Sequence, residues 1–275
     1  MPTKTKVRNM FDSIAGDYDA LNHILSLDVD KLWRKKALKQ IVDAPAPARV
    51  LDLACGTGDF SIAIAKALSR SHKRVGTPIE AHVKAPAKAP VEAQVTSTGF
   101  VTGDSGRSDL MTKGHVTGVD LSEGMLEVMR EKVGKAGLTE MISIEEGDGE
   151  NLRFPDNTFD RVTIAFGIRN FENREKGLRE MLRVLKPGGR LVILELSRPE
   201  NKVIRWFYDL YFLHILPKVG GKVSGDKAAY AYLPASVAAF PGKKEFMATM
   251  REAGFRTVTH KAFTLGICRM YTGEK

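Results

Sequence analysis

Residues able to do chemistry first gather in Val50-Leu51-Asp52-Leu53-Ala54-Cys55-Gly56-Thr57-Gly58-Asp59. The opening of this stretch is mostly apolar, as a strand covered on both faces must be. Gly56 and Gly58 then permit a sharp turn and a close approach of backbone to ligand, and a helix is predicted from near Phe60. A glycine turn after the first strand of an α/β sheet is where nucleotide-like groups sit. Other reactive types follow at the ends of later strand-like runs: Asp120 in His115-Val116-Thr117-Gly118-Val119-Asp120, Asp148 in Gly147-Asp148-Gly149, and Arg169-Asn170 after 159–166. In a doubly wound sheet those ends face one crevice.

Charge discriminates between ligands. A dinucleotide would lay its pyrophosphate on the N-terminus of the first helix, where free N–H groups and the dipole attract an anion. Asp59 puts a carboxylate there, and no third glycine completes Gly-x-Gly-x-x-Gly. A helix cap is the plainer role for Asp59. A ligand carrying an amine and a sulfonium suits the site, and S-adenosylmethionine answers that description. Asp120 is then the acid that holds ribose hydroxyls. Asp148 is placed to accept from an exocyclic amine such as adenine's, although a turn aspartate is its commoner role.

Asp120 lies too far downstream for the usual spacing of about 20 residues. Between it and the glycine turn runs a stretch, 72–114, with little apolar periodicity, containing Lys84-Ala85-Pro86-Ala87-Lys88-Ala89-Pro90 and a Gly/Ser/Thr-rich run. Removing it restores the spacing, so it reads as a disordered surface insertion of low closure cost.

The elements that position these residues follow in order. The expectation is one α/β domain over 1–275, a Rossmann-like, mostly parallel doubly wound sheet. An N-terminal helical region, 1–45, carries Phe11, Ile14, Ala15 and Tyr18 at helical spacing, and Lys31-Leu32-Trp33-Arg34-Lys35-Lys36-Ala37-Leu38 is a basic amphipathic helix. Ser122 is a plausible N-cap for the helix after Asp120, and 142–146 is a third strand. A helix over 174–185 is stopped by Lys186-Pro187-Gly188-Gly189, with a fifth strand over 190–196. The aromatic stretch 203–217 is too short to span a bilayer; it reads as a core helix, a wall of an apolar pocket, or a membrane contact. With 228–241 it makes a cap over 200–242. A helix over 246–253 and strands near Phe255 and Gly266 close the chain.

Composition is globular, 43% hydrophobic and 27% charged, with no run of 18 apolar residues. Two cysteines, Cys55 and Cys268, allow no disulfide framework and no cysteine-built zinc site, and point to a reducing cytosol. The net charge of +9 fits nucleic acid, anionic lipid or plain solubility.

Taken together, the chain resembles the C-methyltransferases of menaquinone and ubiquinone biosynthesis. The resemblance rests on Met10-Phe11-Asp12-Ser13-Ile14-Ala15 with Tyr18-Asp19 and Leu21-Asn22, on the glycine turn, and on Gly118-Val119-Asp120-Leu121-Ser122. It continues in Phe154-Pro155-Asp156-Asn157-Thr158-Phe159-Asp160, Phe166-Gly167-Ile168-Arg169-Asn170, Arg183-Val184-Leu185-Lys186-Pro187-Gly188-Gly189, Tyr230-Ala231-Tyr232-Leu233-Pro234-Ala235-Ser236 and Ala253-Gly254-Phe255. It covers nearly the whole chain apart from the insertion. The resemblance implies S-adenosylmethionine contacts at Thr57, Asp120, Asp148 and Gly149, with Ala165 lining the site; Asp52, Gly56 and Gly58 belong to the same cofactor set. The family usually has Ala where Gly149 stands, Pro where Arg153 stands, and often Ser at Ala165.

The implied reaction moves a methyl group to a ring carbon of a prenylated quinol, demethylmenaquinol first and the ubiquinone benzoquinol precursor as the alternative. The carbon is a poor nucleophile until the neighbouring hydroxyl ionises, and a phenol-like pKa near ~10 calls for help at neutral pH. Arg169 suits a phenolate because it stays protonated and presents several donors. Asn170 and Tyr18 are candidates to orient the hydroxyl or a water. Asp148 and Asp19 are weaker candidates for the base, and His23 and His214 do not fall at strand ends. No metal is expected. The partners implied are the prenylated quinol, with membrane contact and a homodimer left open, and no nucleic acid; the location is cytoplasmic or peripheral at the inner face of the membrane. A nucleic-acid methyltransferase is the rival class, favoured by charge but lacking an accessory RNA-binding motif; an NAD-dependent oxidoreductase is disfavoured by Asp59.

Overall fold

A computed structural model describes residues 3–16, 18–19, 28–44, 47–75, 114–211 and 227–275. Strands β1 (Arg49–Leu53), β2 (His115–Asp120), β3 (Ile142–Glu146), β4 (Phe159–Ala165) and β5 (Leu185–Leu196) run parallel. Two C-terminal strands, β6 (Arg256–Phe263) and β7 (Cys268–Glu274), close one edge: β7 lies antiparallel to β5, and β6 antiparallel to β7. The seven strands lie in the order β3-β2-β1-β4-β5-β7-β6.

Side-chain alternation divides the sheet between two cores. Val50 and Val116 meet Phe60, Ile64, Trp33 and Ile41 on one face. Leu51, Leu53, Val162 and Ile164 meet Leu178, Met181 and Val184 on the other. Burial on both faces explains why the parallel strands read as nearly continuous aliphatic runs. From β1 the chain steps to β2 on one side, and β4 later fills the other side. The carboxyl ends of β1 and β4 therefore flank the point where strand order reverses, the crevice in which such sheets bind ligands.

The helices are α1 (Lys4–Ile14), α2 (Val29–Ile41), α3 (Asp59–Val75), α4 (Glu123–Lys135), α5 (Arg174–Val184), α6 (Lys202–Leu210), α7 (Lys227–Ala238) and α8 (Lys243–Glu252). The expected basic amphipathic helix is α2, which buries Trp33, Ala37 and Ile41. Ser122 caps α4 as expected, its Oγ accepting from the Met125 N–H at 3.2 Å. Among the described residues, no helix is long and apolar enough to cross a membrane.

Several boundaries differ from expectation. Strand β5 begins at Leu185 rather than Arg190, because Leu185 already pairs with Phe159 before the register shifts; Lys186-Pro187-Gly188-Gly189 lies inside the strand with Gly188 at φ +75°. Helix α8 starts at Lys243, ahead of the expected 246, and the closing strands are longer than their aliphatic residues foretold. Helix α3 runs to Val75, so residues 72–75 of the expected insertion over 72–114 are helical instead. The readings of 21–27 with His23, of the rest of that insertion over 76–113, and of 212–217 with His214 lie outside the described residues, as does the Tyr230 side chain.

Candidate active site

Two cavities meet at the reversal point. The smaller, about 70 Å³, is lined by Gly56, Asp120, Asp148, Gly149 and Asn170, and α1 covers it with Lys4, Val7 and Phe11. The larger, about 560 Å³, lies between Trp33, Asp52, Thr57 and Phe60 on one side and Arg169, Phe207, Tyr208 and Leu265 on the other. Tyr18, Ala54, Gly56, Ala165 and Phe166 line both, so a group in one cavity touches a group in the other.

That shared wall is strained. Ala54 (φ 49°) and Phe166 (φ 62°), each just past a central strand, adopt the left-handed conformation that L-residues avoid at a cost of roughly 1–3 kcal/mol. The two turns pack so closely that a Cβ at Gly167 would meet the Ala54 Cβ at 2.5 Å. Gly58 (φ +83°) backs onto Met129, whose Cγ would lie 2.4 Å from an added Cβ. It lines neither cavity and serves to shape the turn.

In the small cavity the half-buried Asp120 accepts from the Gly56 N–H at 2.8 Å and the Ser122 N–H at 2.9 Å. One bond per carboxylate oxygen leaves acceptor capacity for a diol such as ribose. Burial raises its pKa despite those two donors. Asp148 Oδ1 accepts from the Glu150 N–H at 2.9 Å, while its Oδ2 receives Lys4 Nζ at 2.6 Å. Lys4 also reaches Glu150 Oε2 at 2.9 Å. Gly149 leaves room for a ring: an added Cβ would meet Phe171 Cζ at 2.6 Å, and one added at Gly177 would meet the same ring at 2.5 Å. Glycine rather than the family's alanine therefore goes with a Phe171 ring seated between two glycines. The cavity thus has an acceptor pair for a diol, a second carboxylate for an amine, and a bare backbone, a donor set that fits S-adenosylmethionine.

The larger cavity ends at Arg169. The 3-10 turn Ile168–Asn170 follows β4 directly and buries the Arg169 guanidinium, whose Nη1 donates to Glu195 Oε1 at 2.8 Å and to the Phe166 carbonyl. Nε donates to Ser236 Oγ at 3.3 Å on α7. Glu195, fully buried at the end of β5, also accepts the Arg169 N–H at 3.1 Å. Burial alone would lower the pKa of Arg169, but Glu195 outweighs it and the net shift is upward, so the cation is secure. Beside it Asn170 Oδ1 accepts from Tyr232 Oη at 2.8 Å, which orients the amide, and Asn170 itself faces the small cavity. Asp52 sits deep in β1 with Ser61 Oγ donating to it at 2.6 Å; desolvation pushes its pKa up to about 7.

One sequence argument is corrected. Asp59 is the first residue of α3, and its carboxylate receives Lys132 Nζ and, at 3.1 Å, Arg34 Nη1. It lines the larger cavity rather than the small one. Burial would raise its pKa, yet Lys132 and Arg34 hold it below the usual carboxylate value. A carboxylate neutralised by two cations does not repel an anion by itself, so the ligand choice rests on Asp120, Asp148 and the glycines. Asp19 is likewise committed, to Lys132 at 2.6 Å and Thr57 Oγ1 at 2.5 Å, and Asp148 to Lys4, which weakens both as bases.

Glu195, Lys4 and Lys132 were not foreseen. Glu195 had a signal: it is the one acid in Leu191-Val192-Ile193-Leu194-Glu195-Leu196, and a buried charge in an aliphatic strand demands a partner. Lys4 and Lys132 sit on helices distant in sequence from their acids, and nothing local marks them.

Comparison with known proteins shows the family. A family model described as the ubiE/COQ5 methyltransferase family matches residues 2–275. A ubiquinone/menaquinone biosynthesis C-methyltransferase, UbiE, of Geobacter sulfurreducens is 43% identical over 98% of this chain and 88% of its own. A demethylmenaquinone methyltransferase of Bacteroides fragilis is 38% identical over 98% of this chain and 92% of its own. In fold, the chain resembles an S-adenosylmethionine-dependent methyltransferase of Thermotoga maritima with a TM-score of 0.56 at 18% identity, covering 98% of this chain and 99% of that one. The chain belongs to the ubiE/COQ5 methyltransferase family and is an S-adenosylmethionine-dependent C-methyltransferase of quinone biosynthesis.

Proposed function

We propose that this enzyme converts demethylmenaquinol to menaquinol, methylating a ring carbon of a prenylated naphthoquinol. The observation that carries the reading is the shared wall: a mainly apolar cavity of about 560 Å³ adjoins the cofactor cavity at Tyr18, Ala54, Gly56, Ala165 and Phe166 and ends at the buried Arg169. S-adenosylmethionine, held by Gly56, Asp120, Asp148 and Gly149 with Thr57 and Ala165 beside it, supplies the methyl group. Arg169 lends N–H donors to the quinol oxygen as it ionises, and Glu195 and Ser236 keep the guanidinium in one orientation. Asn170, oriented by Tyr232, and Tyr18 hold the hydroxyl or a water that takes its proton. Cavity walls of Trp33, Phe166 and Tyr208 exclude bulk water from the developing phenolate.

The whole chain acts as one methyltransferase domain in this reading, with α6 and α7 as the substrate cap and the N-terminal helices over the cofactor. The enzyme works in the cytoplasm against the inner face of the membrane, because its substrate partitions into lipid. The sequence leaves a homodimer open, and sedimentation velocity decides it. The testing experiment compares initial rates with reduced demethylmenaquinol and with the demethyl benzoquinol precursor, both with a short prenyl chain. Preference for the naphthoquinol supports the reading; preference for the benzoquinol replaces it.

A further inference from the structure

Six large hydrophobic side chains are exposed among the described residues: Leu32, Val203, Trp206, Phe207, Leu210 and Leu265, at 41–72% of their surface. They are not scattered, as exposed apolar residues usually are. Val203, Trp206, Phe207 and Leu210 follow the i, i+3, i+4, i+7 spacing of a single face of α6. The other face of that helix presents Ile204 and Tyr208 to the large cavity, and Phe207 reaches it too. Leu265, from the turn between β6 and β7, lines the same cavity. Leu32 lines an adjoining groove that shares Val29, Trp33 and Thr264 with it. Three elements distant in sequence thus put their exposed apolar residues around one mouth.

Charge lies beside them. The adjoining groove is lined by Lys35, Lys36 and Lys39, none with a carboxylate partner among the described residues, and Lys36 Nζ sits 5.2 Å over the Phe263 ring. On α6 and just before it, Asp209 is neutralised by Arg198 and Glu200 by Lys243 and Arg269, while Lys202 and Arg205 are left without an acidic partner among the described residues. An apolar ridge flanked by unpaired lysines and bearing a tryptophan is the surface that enters the headgroup region of an anionic bilayer.

We propose that this face, the α6 ridge with Leu265, Leu32 and the α2 lysines, docks on a negatively charged phospholipid surface, so that the quinol's prenyl tail passes from bilayer to cavity without crossing water. The proposal rests on the prenylated-quinol reading above. Docking leaves the methyl-transfer site unchanged and acts on access to it.

The test uses the full chain with phosphatidylglycerol/phosphatidylethanolamine vesicles and with phosphatidylcholine vesicles. The chain has two tryptophans, of which Trp33 is buried, so Trp206 reports the contact. Expected are co-sedimentation with anionic vesicles only, a blue shift of tryptophan emission, and loss of binding at 1 M salt. Lys35→Gln with Lys36→Gln and Lys39→Gln lowers partitioning by about a hundredfold. Leu32→Ser with Trp206→Ser keeps kcat for a short-chain, water-soluble quinol and loses activity on long-chain quinol held in vesicles. No partitioning, or a ridge that becomes shielded on dimerisation without vesicles, overturns the proposal. Methylation of the short-chain quinol with no vesicle effect sinks the surface alone, whereas failure on every quinol sinks the underlying functional reading.

Discussion

The Arg169–Glu195 pair decides most at the scale of single residues. Both groups are buried, and each is costly without the other. Glu195→Gln keeps the shape but strands a cation, and is expected to lose about 3 kcal/mol of stability, read as a fall of several degrees in Tm. Gly149→Ala brings the family's common residue into a site where the added Cβ would meet Phe171 Cζ at 2.6 Å, so the ring must shift. Weaker S-adenosylmethionine binding, by roughly tenfold in Kd by calorimetry, is expected, with little change in kcat at saturation. That Asp120, Asp148, Gly149, Arg169 and Asn170 gather around the two cavities was legible beforehand, because each stands at or just past a strand end. Their partners were not, since Lys4 is 144 positions from Asp148 and chain distance hides a salt bridge.

Strands set the titration behaviour of the enzyme. Asp52 lies mid-strand, desolvated between sheet and helix, with a pKa pushed up to about 7 against an ordinary 3.8. A carboxyl whose folded pKa is raised binds its proton more tightly folded than unfolded. Its contribution is therefore complete below the ordinary value and is lost as pH rises from about 4 to about 7. One such group removes about 1.4 kcal/mol per pH unit across that window. Asp120, its pKa also raised by desolvation, acts with the same sign; Asp59, whose pKa is lowered, acts oppositely and below that window. Denaturation of Asp52→Asn followed between pH 4 and 7 is expected to show a flatter stability profile than wild type. The central strands and helices were readable from aliphatic runs, a serine cap and a glycine turn. The start of β5 was not, because pairing of Leu185 with Phe159 outvotes a Pro-Gly-Gly signal that normally ends structure.

Across the whole molecule, α1 closes the cofactor cavity mainly through polar contacts. Lys4 holds Asp148 and Glu150, and Asp12 accepts from Ser122 Oγ at 2.6 Å and from the Gly124 N–H at 3.2 Å, while Val7 is the one buried residue within the helix. Such a helix is expected to open at modest cost. Lys4→Met should speed S-adenosylmethionine dissociation several-fold by stopped-flow, most clearly at low salt. The glycine turn and the strand-like runs announced the doubly wound architecture, but not the contacts of α1, which are surface-type residues in no periodic pattern. The aromatic stretch near 203 was legible as unusual; only its placement at the cavity mouth shows which way it faces.

Methyl transfer to the quinol at a site governed by Arg169 is the central claim. Single-turnover transfer from labelled S-adenosylmethionine to reduced demethylmenaquinol, with wild type beside Arg169→Ala, tests it most directly. The predicted result is transfer by wild type and a loss of at least about a hundredfold in the variant, with cofactor affinity unchanged. Equal transfer by both proteins, or cofactor binding by wild type with no methylated quinol, would contradict it.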